Sequence, residues 1–482
     1  MFKNTLIIFA TATLLNADAY QDWLKSQQTE FRSYKKSIDE EFSSMLKKDW
    51  EAFQQMSNPN PYKKPKPIKV PQVKKEVELP KKEVENSPKV IVKEIRKKQI
   101  DTKPKVIEPK ISTKLKEQSD IRDISFEFYG NRLNYKIDKK LLFNSKKINK
   151  DTIINFWDTI SKTNFQIILE QIKDTKKTLS LNDWATYQLT NKIGYEIFKD
   201  ENIANLFSWF NLVKLGFDTK VGYNKNNIYL LSVIDHDLFQ IAYFKLGDKK
   251  YYVLTPNGRI GKIGTIFTYS GNYPKSTDKL SFAIDSEIKF YTNLENKVLK
   301  FNYNNKLYAI QTKYSKDLIE FYKTYPQSDY NIYYNTKNST VLSNTILDGL
   351  RGVIKNRSQV EAVNMLLRFV QTTFAYKTDQ DQFNYEKVMF PEETIYYPYS
   401  DCEDRSIMFS YLVKNLLGLD VVGIKYSDHM ATAVAFSSDT SGDRFRYKNK
   451  VYTITDPTYI NANSGMAMPQ YKNSKFEIFT IR

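Results

Sequence analysis

The sequence predicts an α+β protein in which helices and antiparallel strands occupy separate stretches of the chain. Three observations lead there. From 121 to about 190 the apolar spacing is mainly helical, as in "KDTIINFWDTISKTNFQIILEQI". From about 266 to 315, "LSFAID", "EIKFYTN" and "VLKFNYNNKLYAIQTKY" alternate in polarity, with Asn304-Asn305 as a tight hairpin turn. In the last 140 residues or so, one apolar-faced helix is followed by short strands separated by turn residues.

The chain starts Met1-Phe2-Lys3, then the apolar run "TLIIFATATLL" and Ala17-Asp18-Ala19. One positive charge, a short apolar core and a small-x-small ending predict a signal peptide over 1–19, cleaved after Ala19. The protein is then expected to be exported, periplasmic or secreted, and not transmembrane, since no other run nears the roughly 18 apolar residues a span needs. Residues 20–57 are expected to form an amphipathic helix with Phe31, Tyr34, Ile38, Phe42 and Met45 on one stripe. Such a face must be buried on the body, on an envelope protein partner, or by self-association.

Residues 58–120 are expected to be a Lys/Pro-rich disordered linker. Within 61–119 lie eighteen Lys and Arg against eight Asp and Glu, which is more than half of the chain's net charge of +18. With Tyr62 as its one aromatic, the segment lacks both the stacking platforms of single-strand binding and the apolar surface of a core. No nucleic-acid partner is therefore expected, and the basic charge suits peripheral contact with an anionic envelope surface. Residues 121–265, 266–340 and 341–482 make up the folded remainder: a helical and mixed domain, a β-rich middle segment and a C-terminal domain.

Cys402 is the chain's single cysteine, so there is no internal disulfide, and in an oxidising compartment its thiol is either inert and buried or reactive. Ser400 or Asp401 can cap a helix whose apolar face is Ile407, Met408, Tyr411, Leu412 and Leu416, ending at Gly418. Cys402 thus falls in the first turn, where the helix dipole lowers a thiol pKa. The same dipole favours Asp401, Glu403 and Asp404 there, without any need for them to face the sulfur. After Gly418 come the strand "LDVVGIKY", a Ser427-Asp428 turn, "HMATAVAF" opening on His429, "RFRY", an Asn449-Lys450 turn, and "VYTITDPTY" with Asp456 at a strand end. Antiparallel neighbours can bring His429 beside Asp456, and the helix packed on that sheet can bring Cys402 to the imidazole.

In "DCEDRSIMFSYLVKNLLGLDVVGI", "HMATAV" and "YTITDPTY", taken in order over about 345–470, the chain resembles the transglutaminase-like superfamily, relatives of papain-type cysteine hydrolases. The resemblance implies Cys402 as nucleophile, His429 as general base and acid, and Asp456 as the group that orients the imidazole. The Cys402 backbone N–H is the implied oxyanion donor, with Gln382 and Tyr399 as candidates for the second. Ser400 stands where many relatives have glycine, and Met430 where an aromatic often follows the histidine. No cofactor is expected. Two distant histidines, His236 and His429, with one cysteine do not make a zinc site, so no metal is expected either.

An internal echo completes the pattern. "FSWFNLVKLGFDTKVGY" from Phe207 parallels "FSYLVKNLLGLDVVGIKY" from Phe409, and "DKKYYVLTP" parallels "NKVYTITDP". Gly216 matches Gly418, and Gly264 matches Gly465. A first, degenerate copy of the domain is expected near 180–265, with Asp200 at the cysteine position, the histidine position near Asn227, and Thr255 for Asp456. Without thiol or base it should be silent. The expected function is an exported cysteine peptidase, amidase or acyltransferase that takes a protein or peptide substrate through a Cys402 thioester. The competing expectation is a non-catalytic envelope scaffold or binding subunit.

Overall fold

The computed structural model describes residues 20–59 (apart from 21, 24, 25, 28, 31, 32, 35 and 49), 70–92, 106–111 and 120–481 (apart from 260). The expected signal peptide, Phe31 and the rest of the linker lie outside the described residues. Among the described residues no helix is long and apolar enough to cross a membrane. The molecule is α+β, with helices packed on antiparallel sheets.

The N-terminal helix docks at home through the end of its stripe. Phe42 and Leu46 are buried, Phe42 against Trp157, Trp209, Tyr269 and Tyr273, while Tyr34 remains exposed. Buried Asp39 pairs with Lys214. The helix stops short of 57: β1 (Trp50–Gln54) and β2 (Met56–Ser57) follow it. Hydrogen bonding to open sheet edges wins over helical spacing there, since an edge strand offers a row of unpaired backbone groups.

The linker expectation also needs correction over 70–92, which lie along the C-terminal domain. Val73 N donates to Ile460 O at 2.9 Å and Ile460 N to Pro71 O at 3.0 Å. Glu76 pairs with Arg368 at 3.1 Å, and Asn461 and Asn463 donate to Val73 O and Val77 O. Proline-rich chain is already extended, so a few backbone bonds suffice to lay it down. Further on, β3 (Val106–Ile107) pairs with β5 (Asn131–Asp138), which forms a hairpin with β4 (Ile121–Phe128). That hairpin replaces the helix expected from 121. Its turn, Tyr129 (φ 45°) and Gly130 (φ 77°), joins two runs of period two.

Two similar units then follow. In the first, helix Glu201–Lys214 precedes β6 (Thr219–Tyr223), β7 (Ile228–Val233), β8 (Ala242–Leu246), β9 (Lys249–Leu254) and β10 (Thr265–Tyr269). Between the units runs a long hairpin, β11 (Leu294–Tyr303) and β12 (Lys306–Ser315), closed by Asn304 and Asn305 at φ 49° and 59°, as expected. "LSFAID" and "EIKFYTN" are not strands. They bury Leu280, Phe282, Ile284, Ile288 and Phe290 at alternate positions, so period two reports an extended chain that has no ladder partner beyond an isolated bridge at Leu280. The short parallel pair β13 (Ala375–Tyr376) and β14 (Tyr399–Ser400) leads into helix Cys402–Leu417. After it come β15 (Asp420–Lys425), β16 (Met430–Ala435), β17 (Arg444–Tyr447), β18 (Lys450–Thr455) and β19 (Glu477–Thr480). The hairpin turn between β17 and β18 is Lys448-Asn449, one residue earlier than expected, both at positive φ.

The second sheet has strand order β17-β18-β16-β15-β19, and the first repeats it as β8-β9-β7-β6-β10, with β1 and β2 added at its edges. Even the register repeats. Thr219 faces Ser232 in the first unit and Val421 faces Val434 in the second, both strands shifted alike (219 to 421, 232 to 434). Asn224 N donates to Asn227 O as Tyr426 N donates to His429 O. In both units the helix packs on the first two strands and has a second helix beside it, Asp183–Phe198 or Gln359–Thr373.

Candidate active site

Cys402 opens its helix, with Asp401 as N-cap and Asp404 Oδ2 accepting from Asp401 N at 3.1 Å. Its residue is 2 % exposed. The thiol donates to Glu403 Oε2 at 2.9 Å, and Tyr330 Oη lies 3.5 Å from Glu403 Oε1. One helix-start acid does face the sulfur, although the dipole does not require it, because burial leaves the carboxylate to find its donors nearby.

His429 and Asp456 meet as their strands require. Thr432 pairs with Thr455, which brings the residues flanking β16 and β18 together, and His429 Nε2 lies 2.8 Å from Asp456 Oδ2. Both residues are buried. Asp456 Oδ1 accepts from the backbone of Thr458 at 2.9 Å and Tyr459 at 3.2 Å, so the carboxylate is held on both oxygens. Gln371 Nε2, from the neighbouring helix, is within hydrogen-bond distance of Asp456 O, Tyr459 O and Ala462 O, which fixes the loop. With Nε2 on the carboxylate, Nδ1 is the ring nitrogen left for proton transfer.

The helix is pinned to this pair one turn beyond Cys402. Ser406 Oγ donates to Met430 O, the carbonyl just after His429, at 3.3 Å. Residues i and i+4 share a helix face, so Cys402 sits on the face turned toward the histidine strand. Tyr471 ties the two halves of the site. Its ring stacks on His429 at 5.0 Å and on Tyr426 at 4.7 Å, and its hydroxyl donates to Asp428 Oδ1 at 2.9 Å. Burial holds that hydroxyl well above its ordinary pKa, and Asp428, Cys402 and Asp456 add negative potential around it. The site is thus closed in, with Cys402 and His429 both buried and the Tyr471 ring over the imidazole.

Around the thiol, Arg405 Nε donates to Ser400 Oγ at 3.1 Å and Nη2 to Phe374 O at 2.6 Å, with the guanidinium 5.3 Å from the Tyr376 ring centre. It thereby clamps β13 and β14 beneath the helix start. Burial lowers the Arg405 pKa to about 10, while Tyr376, Asp401 and Cys402 oppose the shift. Burial raises Asp404 well above the usual carboxylate range, helped by the charges of Asp401 and Glu403. Oxygens of Asp379, Asp401 and Glu403, all buried, lie within 4.8 Å of one another, a hard-donor set that could hold a cation. Reading for zinc from His and Cys alone missed it.

Of the other candidates, Gln382 lies on the short helix Asp379–Phe383, half-buried and one turn from Asp379. Tyr399 is exposed, with its ring 5.2 Å from Lys377 Nζ. His236 is far along the chain in the first unit, held by Asp235 at 2.5 Å and edge-on to Phe282. At the equivalent positions of the first unit, Asp200 is a helix cap accepting from Ile203 N at 3.0 Å and Asn227 is exposed. Thr255 Oγ1 donates within its own loop to Arg259 O at 2.8 Å. Sequence reasoning missed Tyr471, Gln371 and Arg405. Arg405 carried the one visible signal, a charged residue on the buried face of a helix.

A scan against protein-family models finds no match, and a search of curated proteins finds no significant match.

Proposed function

We propose that the protein is an exported transglutaminase-like cysteine hydrolase that cleaves an amide in a protein or peptide substrate. The observation that carries this reading is the buried His429–Asp456 pair at the ends of adjacent strands, with Cys402 at the start of the helix packed on those strands. In the reaction His429 Nδ1 takes the thiol proton and the sulfur attacks the carbonyl carbon. The tetrahedral oxyanion is met by the Cys402 N–H at the helix start. The C–N bond then breaks as the imidazolium protonates the leaving amine, which leaves a thioester. Water, deprotonated by the same nitrogen, releases the acid and returns the thiol. In the resting state Glu403 accepts from the protonated thiol, so turnover begins with transfer of that proton to the imidazole, and access needs the Tyr471 ring to swing off His429.

The closed site favours a second reading, a scaffold in which Cys402 is only a packing residue. Alkylation of the intact protein with iodoacetamide at pH 7 separates the two. A hydrolase labels rapidly at Cys402 in a His429-dependent way. Slow labelling that is equal in wild type and His429→Ala leaves the scaffold.

A further inference from the structure

The first unit lacks the groups for catalysis, yet the loop equivalent to the one that holds Asp456 is not idle. Thr255 follows β9 as Asp456 follows β18, and the next four residues, Pro256 to Arg259, reach over to the second unit. Gly258, at φ +66°, packs so tightly that a Cβ would lie 2.0 Å from Thr324 O. Arg259 stacks on the Tyr385 ring, 3.6 Å from its centre, and its Nη2 donates to Tyr385 Oη at 2.6 Å. Its other nitrogens, Nε and Nη1, have no partner among the described residues.

Behind this clamp is a cavity of about 220 Å³, walled by the first unit, by the 325–333 segment and by residues 385–388. Its walls are fixed by hydrogen bonds: Phe239 N donates to Gln327 O at 2.9 Å, and Lys387 N to the Asp379 side chain at Oδ2, 2.6 Å. Gln327, 9 % exposed, lines the cavity, and its Oε1 is buried without a hydrogen-bond partner among the described residues. A buried amide oxygen left without a donor is destabilising, so its position calls for an N–H from elsewhere. Arg259 keeps Nε and Nη1 to offer to a carboxylate, its Nη2 being held by Tyr385 Oη and Lys323 O; Glu386 and Lys387 also line the cavity, and Tyr333, Tyr385 and Val388 give it apolar surface.

We propose that this cavity between the two units binds an α-carboxylate bearing an N–H on the same carbon, either a free amino acid or the last residue of a peptide. Arg259 takes the carboxylate and Gln327 Oε1 accepts from the nitrogen. At about 220 Å³ the cavity is of a size to take a single residue. The silent unit then serves as a recognition module for the unit that carries Cys402. The site goes beyond the hydrolase reading and does not depend on it.

The test is isothermal titration of the full chain carrying Cys402→Ala, which removes turnover and so keeps binding separate from catalysis. Three probes are used: L-alanine, N-acetyl-L-alanine as a chain-end mimic, and L-alaninamide, which lacks the carboxylate. The expected result is saturable 1:1 binding of one of the first two and at least tenfold weaker binding of the amide. The preferred probe tells a free amino acid from a chain end. Arg259→Gln, an exposed change, and Gln327→Leu should each weaken binding at least tenfold, and Arg259→Lys, which keeps the charge without the guanidinium, by less. No saturable binding of either carboxylate probe, equal binding of the amide, or Arg259→Gln binding like the parent overturns the proposal.

Discussion

The two units share helix, strand order and register, and they differ in what each places at the same three points. In the second unit the helix start carries a thiol, the residue before β16 an imidazole, and the residue after β18 a carboxylate that holds the imidazole. In the first, those places hold a helix-capping Asp200, an exposed Asn227 and a Thr255 bonded within its own loop. One fold therefore supports both a buried polar site and a plain surface turn. What separates them is a few side chains plus the segment after β18, which bends back to set Tyr471 on the imidazole.

The sharpest break of the comparison concerns Gly264 and Gly465, matched in sequence and at φ 82° and 83°. A Cβ on Gly264 meets nothing within 4 Å, whereas on Gly465 it would lie 2.4 Å from Ser441 O. Gly264→Ala should cost about 1 kcal/mol from the left-handed backbone alone. Gly465→Ala should cost about 4 kcal/mol once overpacking is added. Urea unfolding of the two variants checks this, and equal losses would mean the two glycines are in like surroundings after all.

The second unit also buries an acid, Glu392, that is fully enclosed. Burial raises the Glu392 pKa to about 7, with Tyr322 donating to its carboxylate at 3.1 Å. A raised carboxyl pKa means that the folded state prefers the protonated form. Its stabilising contribution is complete below the ordinary value near 4.5 and is lost as pH rises through about 7. Between pH 4.5 and 8 wild type should therefore lose up to about 3 kcal/mol more than Glu392→Gln. Unfolding curves at the two pH values measure it.

Next in size is the His429 effect on alkylation. An unpaired thiol near pKa 8.5 is only about 3 % thiolate at pH 7, so losing a full Cys–His ion pair should slow iodoacetamide labelling by about 30-fold. Asn227→Ala, the matched change in the first unit, should leave the rate unchanged. Smallest is the cap: Asp200→Ala should lower the melting free energy by about 1 kcal/mol without touching the labelling rate.

Much of the second unit was legible because its signals are local. Helix cap and Gly418 stop, strand alternation and the Asp456-Pro457 strand end each depend on a few neighbouring residues, and pairing of β16 with β18 then carries His429 to Asp456. The repeat was legible for the same reason. The hairpin at 121–138 was lost to helical spacing in the region after it. The strap over 70–92 was lost because its bonds run from backbone to residues nearly 400 positions away, and composition does not register those.

By itself the sequence determined which side chains stand at the ends of which elements, since caps, glycine stops and period-two runs act over a few residues at a time. Only the tertiary structure decided that the thiol donates to Glu403 and that Tyr471 roofs the imidazole. It alone decided that Arg259 of one unit lies on Tyr385 of the other. Those contacts depend on how whole elements are placed against each other, and no spacing within a segment encodes that.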